Sequence, residues 1–102
     1  MQFMLNIDFT MPAHFTPQEA LALRGLENAH ALALMEQKVL LGIWRVVGRT
    51  SNFSLWQAPT LEALHATLSA LPMFPFMKIQ VTPLIEHPVA AAFAQHHEGG
   101  LA

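Results

Sequence analysis

A carboxylate falls where an apolar side chain belongs. When residues 16 to 38 are wound as one helix at about 100° per residue, Ala20, Leu23, Ala31 and Leu34 share a narrow arc, and Glu27 lies inside it. Gln18, Gly25 and Asn28 mark sides of the same helix where the charge would have met water. On a packed face a carboxylate loses hydration, which favours its protonated form and suits it to general acid–base work near neutrality. The alternative is structural: a glutamate paired with an arginine across the core or across a subunit interface.

Arg45 is the second such residue. The stretch from Val39 to Val47 is rich in β-branched and aromatic side chains and reads as a strand. Alternation puts Leu41, Ile43, Arg45 and Val47 on one face and Leu40, Gly42, Trp44 and Val46 on the other. With the first face toward the helix, Arg45 enters the same layer as Glu27. An inward arginine beside an inward carboxylate is unfavourable unless both find partners. Either they form a buried ion pair, or they flank a pocket in which Arg45 binds an anionic substrate while Glu27 moves protons. Asn52 and Ser54, in phase with Trp56 on the next strand, add neutral hydrogen-bond donors near the same place.

The histidines say less. His14, His30, His65, His87, His96 and His97 show no HxH or HxxxH spacing, so no metal site is expected, and His96–His97 reads as a surface pair. No GxGxxG, phosphate loop or nucleophile elbow is present, so nothing calls for a cofactor.

Composition narrows the classes further. The 102 residues suit one domain. Charged residues are 12% of the chain, about half the usual share, while hydrophobic residues reach 53%. A domain this small cannot hide so much apolar side chain, so an obligate oligomer is expected. Five Lys and Arg with a net charge of -2 offer no cluster for phosphates, which argues against nucleic acid as a partner. No apolar run approaches the roughly 20 residues of a membrane span, and Asp8 interrupts any leader-like segment. Cytoplasm is the expected compartment.

The elements that must position Glu27 and Arg45 are legible. Phe3, Leu5, Ile7 and Phe9 alternate with polar neighbours, predicting a strand from Gln2 to Thr10. Thr16-Pro17-Gln18-Glu19 supplies an N-cap, a proline at the first helical position and the glutamate of a capping box. Gly48-Arg49-Thr50-Ser51 reads as a turn, and Asn52 to Gln57 as the returning strand of a hairpin. Leu61, Leu64, Leu68 and Leu71 predict a second helix over 61–71, stopped by Pro72, before a last strand over 76–82. The order β-α-β-β-α-β predicts an α+β, ferredoxin-like domain over 1–88: a four-stranded antiparallel sheet with both helices on one face. Leu40, Trp44, Val46 and Met4 are expected on the open sheet face, against a partner subunit. Residues 89–102 read as a tail, partly ordered or packed on a neighbouring subunit and loose at Glu98-Gly99-Gly100.

Gly42-Ile43-Trp44-Arg45-Val46-Val47-Gly48 with Asn52-Phe53-Ser54, together with Leu71-Pro72-Met73-Phe74-Pro75-Phe76-Met77, resembles the muconolactone Δ-isomerase family. The resemblance runs from Phe3 to about Pro88. It implies a ferredoxin-like fold, assembly from dimers into a homodecamer, a small-molecule lactone substrate, and no metal or organic cofactor. The implied activity shifts a proton and the ring double bond of muconolactone, in the catechol branch of the β-ketoadipate pathway of aromatic catabolism. Glu27 then corresponds to the family's glutamate. Trp44, Arg45, Asn52 and Ser54 match its Trp-Arg pair and its Asn and Ser. The substrate carboxylate needs a cation, for which Arg45 is the first candidate, with Arg24, Lys38 and Arg49 as alternatives. Two segments depart from the pattern: Val39-Leu40-Leu41 is more apolar, and Gly48 to Ser51 lacks aromatic and histidine character. A dehalogenase of chlorinated muconolactones on the same fold, or a non-catalytic oligomeric binding protein, are the competing readings.

Overall fold

The computed structural model describes residues 1–97, so the expectation for Glu98-Gly99-Gly100 lies outside the described residues, as do the side chains of His96 and His97. The chain runs β1 (Gln2–Phe9), α1 (Pro17–Glu36), β2 (Leu40–Arg45), β3 (Asn52–Gln57), α2 (Leu61–Ser69), a 3-10 turn (Phe74–Phe76), β4 (Met77–Leu84) and α3 (Pro88–His97). The strands form one sheet in the order β2-β3-β1-β4, every pair antiparallel. This is the expected ferredoxin-like arrangement, with a third helix added at its end.

α1 starts as its sequence dictates. Thr16 Oγ1 accepts from the Glu19 amide at 3.1 Å, and Glu19 Oε1 accepts from the Thr16 amide at 3.0 Å, completing the capping box. The Thr16 backbone N–H, and then its hydroxyl contact, hold the Glu19 carboxyl below the usual carboxylate range. The helix ends at Glu36, where Lys38 takes a left-handed conformation at φ 61° and turns the chain into β2. Gly48, at φ 79°, makes the corresponding bend in the β2–β3 turn.

Across the sheet the inward side chains form rows. Arg45, Asn52, Ile7 and Ile79 make one; Ile43, Ser54, Leu5 and Val81 the next; Leu40, Trp56, Phe3 and Pro83 the third. Phe3, Leu5, Ile7, Leu40 and Trp56 are buried, and Leu64, Leu68 and Leu71 close over them from the α2 side. Pro83 is tolerated because β4 is an edge strand.

β2 departs from simple alternation. Leu40 opposes Trp56 while Gly42 opposes Leu55, so Leu41 is the extra residue of a bulge. The bulge turns Leu40 inward, 3% exposed, and leaves Leu41 38% exposed. The expected placement of Leu40 on the open face and Leu41 in the core is therefore reversed. Burying a leucine contributes about 1.5–3 kcal/mol, which explains why the strand accepts a broken ladder at its start. From Ile43 to Arg45 the expected phase holds, and Arg45 faces inward; the strand ends there, so Val47, expected on the inner face, lies in the turn, 97% exposed.

The first part of the tail is helical. Residues 88–97 form a helix: Pro88 occupies its first position, the His87 carbonyl accepts from the Ala91 amide at 3.1 Å, and His87 Nδ1 accepts from the Val89 amide at 3.0 Å.

Candidate active site

α1 buries none of its residues completely. Ala20, Leu23, Glu27, Ala31 and Leu34 are half-buried, the same stripe that the periodicity selects. The helix stands off from the sheet near the β2–β3 turn, and a cavity of about 760 Å³ opens between them. Ile7 and Phe9 of β1, Ile43 and Arg45 of β2, Asn52 of β3, and Arg24, Glu27, Asn28 and Ala31 of α1 line it. Arg49 and Thr50 of the turn and Met73 and Met77 complete the wall.

Glu27 is held by a group that no sequence pattern announces. Its Oε1 accepts from the backbone N–H of Met73 at 2.9 Å. Met73 follows Pro72 and precedes the 3-10 turn, and its side chain is buried. The Leu71–Met77 segment therefore supplies the donor that orients the carboxylate, leaving Oε2 without a hydrogen-bond partner among the described residues. A carboxylate fixed through one oxygen and free at the other can accept a proton and return it from a constant position.

The cations surround it without neutralising it. Among the described residues no arginine comes within 4.0 Å of a carboxylate oxygen, so the buried Glu27–Arg45 ion pair is not formed. Arg45 instead donates from Nη1 to the Thr50 carbonyl, which pins it against its own hairpin. Arg24 lies with its guanidinium carbon 5.8 Å from the centroid of the Phe9 ring, a cation–π contact at the cavity wall. Asn52 stands opposite Arg45, and its Oδ1 is buried without a hydrogen-bond partner.

Two residues of the expected constellation lie elsewhere in the protomer. Ser54 is completely buried beneath the cavity's neighbouring row, where its Oγ accepts from Trp56 Nε1 at 2.7 Å. The indole needs a partner when buried, and Ser54 serves that need. Trp44 projects from the opposite sheet face, with its ring folded back over Gly42. A Cβ at Gly42 would lie 2.7 Å from Trp44 Cη2, so the absence of a side chain there makes room for the indole. Lys38, past the end of α1, does not line the cavity either. Among the described residues no group of three His, Asp or Glu is placed to hold a metal ion.

On a ferredoxin-like sheet, a carboxylate oriented by a backbone amide shares one cleft with three arginines, an arrangement able to move protons on a small anionic molecule. The chain belongs to the muconolactone Δ-isomerase family: the family model described as muconolactone delta-isomerase matches residues 1–90. The muconolactone Δ-isomerase of Pseudomonas aeruginosa is 36% identical over 88 residues, covering 86% of this chain and 92% of that protein. That of Cupriavidus pinatubonensis is 35% identical, with coverage of 86% and 96%. A crystal structure of muconolactone isomerase superimposes with a TM-score of 0.81 at 35% identity, covering 86% of this chain and 92% of that one. A dehydrochlorinase of 5-chloro-2-hydroxyhydroquinone from Burkholderia phenoliruptrix shares the fold, with a TM-score of 0.59 at 16% identity over 85% of this chain and 96% of that one. No described helix is long and apolar enough to cross a membrane.

Proposed function

We propose that this enzyme isomerises muconolactone to the enol-lactone of 3-oxoadipate, with Glu27 as the proton carrier. The observation that carries this reading is the Glu27 carboxylate, held by the Met73 amide at 2.9 Å in a cavity it shares with Arg24, Arg45 and Arg49. Glu27 Oε2 takes the ring proton from the carbon that bears the carboxymethyl group. The C–H electron pair moves into the ring, the existing double bond shifts toward the lactone carbonyl, and the carbonyl oxygen takes up the negative charge. The same carboxyl group then returns the proton to the carbon beside the carbonyl. One double bond is relocated, and no electron or proton is gained or lost overall.

The lining supports each demand of that sequence. Ile7, Ala31, Ile43, Met73 and Met77 give an apolar wall that limits water around the ring. Arg45 binds the substrate carboxylate, since a guanidinium already braced by the Thr50 carbonyl loses little freedom on binding. Asn52, with its amide oxygen unpaired beside Arg45, offers a neutral contact to the ligand.

The enzyme works as a homo-oligomer, a decamer built from dimers as the family resemblance implies. Trp44 and Phe53, cross-strand neighbours on the open sheet face, are 55% and 43% exposed, and Leu21, Leu26 and Leu32 stand outward on α1. So much apolar surface on a lightly charged chain favours burial against further copies.

The test is direct. Purified protein mixed with muconolactone should abolish the ultraviolet absorbance of the conjugated lactone and produce 3-oxoadipate enol-lactone without added metal or cofactor. An unchanged spectrum at high enzyme concentration would overturn this assignment.

A further inference from the structure

The chain contains three arginines, Arg24, Arg45 and Arg49, and all of them line the one cavity that holds Glu27. In a protein where charged residues are 12% of the total, every guanidinium of the chain faces one site. None of the three guanidiniums has a carboxylate oxygen within 4.0 Å among the described residues, so the cavity keeps three cations without an acidic partner.

We infer that the cavity is built to hold a dianion, and that Arg24 is the catalytic residue that binds its second negative charge, the oxyanion formed on the lactone carbonyl. The inference rests on the isomerase reading and deepens it. When Glu27 takes the ring proton it becomes neutral, and its charge reappears on the ring oxygen while the substrate carboxylate stays ionised. Two anionic groups at opposite ends of one ligand then need two separate cations.

The cations are placed for that division. Arg45 and Arg49 belong to the β2–β3 hairpin, on one wall. Arg24 belongs to α1, three residues before Glu27, and its guanidinium is steadied over Phe9 rather than by an acid. A cation with no acidic partner keeps its full charge for a ligand, and it acts most strongly where water is excluded.

The experiment separates binding from chemistry. In Glu27→Gln protein, whose neutral amide stands for the protonated acid, the affinities of 5-(carboxymethyl)furan-2-carboxylate and furan-2-acetate are compared by calorimetry. The first is a planar dianion and the second its monoanionic counterpart. The dianion should bind at least about tenfold tighter. Adding Arg24→Met should remove the preference, Arg24→Lys should retain part of it, and Arg45→Met should weaken both ligands alike. In the otherwise unaltered enzyme, Arg24→Met should lower kcat roughly 10²–10³-fold with little change in KM. Equal binding of the two furans, a preference that survives without Arg24, or an unchanged kcat in Arg24→Met would overturn the inference. A protein that never isomerises muconolactone yet prefers the dianion through Arg24 would overturn the isomerase reading and leave the dianion site standing.

Discussion

Met73 and Glu27 are 46 residues apart in the chain, and a 2.9 Å hydrogen bond from the backbone amide of one to the carboxylate of the other joins them. It ties the start of the 3-10 turn to the middle of α1, the two elements between which the carboxylate would otherwise swing. Because the donor is main chain, its direction is set by the backbone around Pro72 rather than by any rotamer.

That contact predicts a contrast between two substitutions at one position. Met73→Leu keeps the N–H and nearly the volume, and should retain most of the activity. Met73→Pro removes the N–H at a position whose φ of -88° lies just beyond proline's usual range, so only a small backbone adjustment accompanies the loss. Losing a hydrogen bond to a charged group should lower kcat roughly tenfold or more with little change in KM, a split that a packing defect alone would not give. Steady-state kinetics on both variants checks this.

Ser54 belongs to the core in this protomer, and its loss should read as a stability defect. Ser54→Ala leaves the buried Trp56 Nε1–H without its acceptor, at a cost of about 1–3 kcal/mol. Urea unfolding should show the loss, while KM for the lactone stays close to its original value.

The capping box gives a prediction with a pH signature. Thr16→Ala should destabilise the protein by about 1 kcal/mol. Glu19 is depressed by its hydrogen bonds to Thr16, so its contribution is present above the unfolded-state value and is lost as pH falls through the folded one. The stability difference between the native chain and Glu19→Gln should therefore be measurable at neutral pH and vanish in acid.

The exposed pair Trp44 and Phe53 predicts association. Sedimentation velocity at micromolar concentration should show no species at the 11.3 kDa of one chain, and Trp44→Glu should shift the population toward lighter species. A monodisperse 11.3 kDa solution would refute the covered-face argument.

Much of this architecture could be read from side-chain spacing, because period two and period 3.6 are imposed by burial on one face. The stripe from Ala20 to Leu34, the capping box at Thr16 and the hairpin strand Asn52–Gln57 are of that kind. Glu27, Arg45 and Asn52 meet in one cavity because each lies on an inward face that the pattern defines, while Arg24, exposed on α1 and off that stripe, joins them from the helix flank. Other features follow different physics. The bulge at Leu41 shifts one strand by a residue, and no local propensity marks it. Ser54 shares Asn52's face, yet the nearer need of the Trp56 indole decides its partner. The Met73 donor is a backbone group, identical in every residue but proline, and only the tertiary fold selects it. The helix at Pro88 carries one cue, proline at a first position followed by Val-Ala-Ala-Ala, but no acidic residue in its first turn marks its start.

The central claim is that the Glu27 carboxylate carries the proton, and the most direct measurement is the turnover of Glu27→Gln on muconolactone. Glutamine keeps the shape of the side chain and can still accept the Met73 hydrogen bond, but cannot take a proton at neutral pH. The variant should assemble, bind lactone and lose ~10²–10⁴-fold in kcat. A folded, lactone-binding Glu27→Gln enzyme with near-normal turnover would contradict the account and return Glu27 to a structural role.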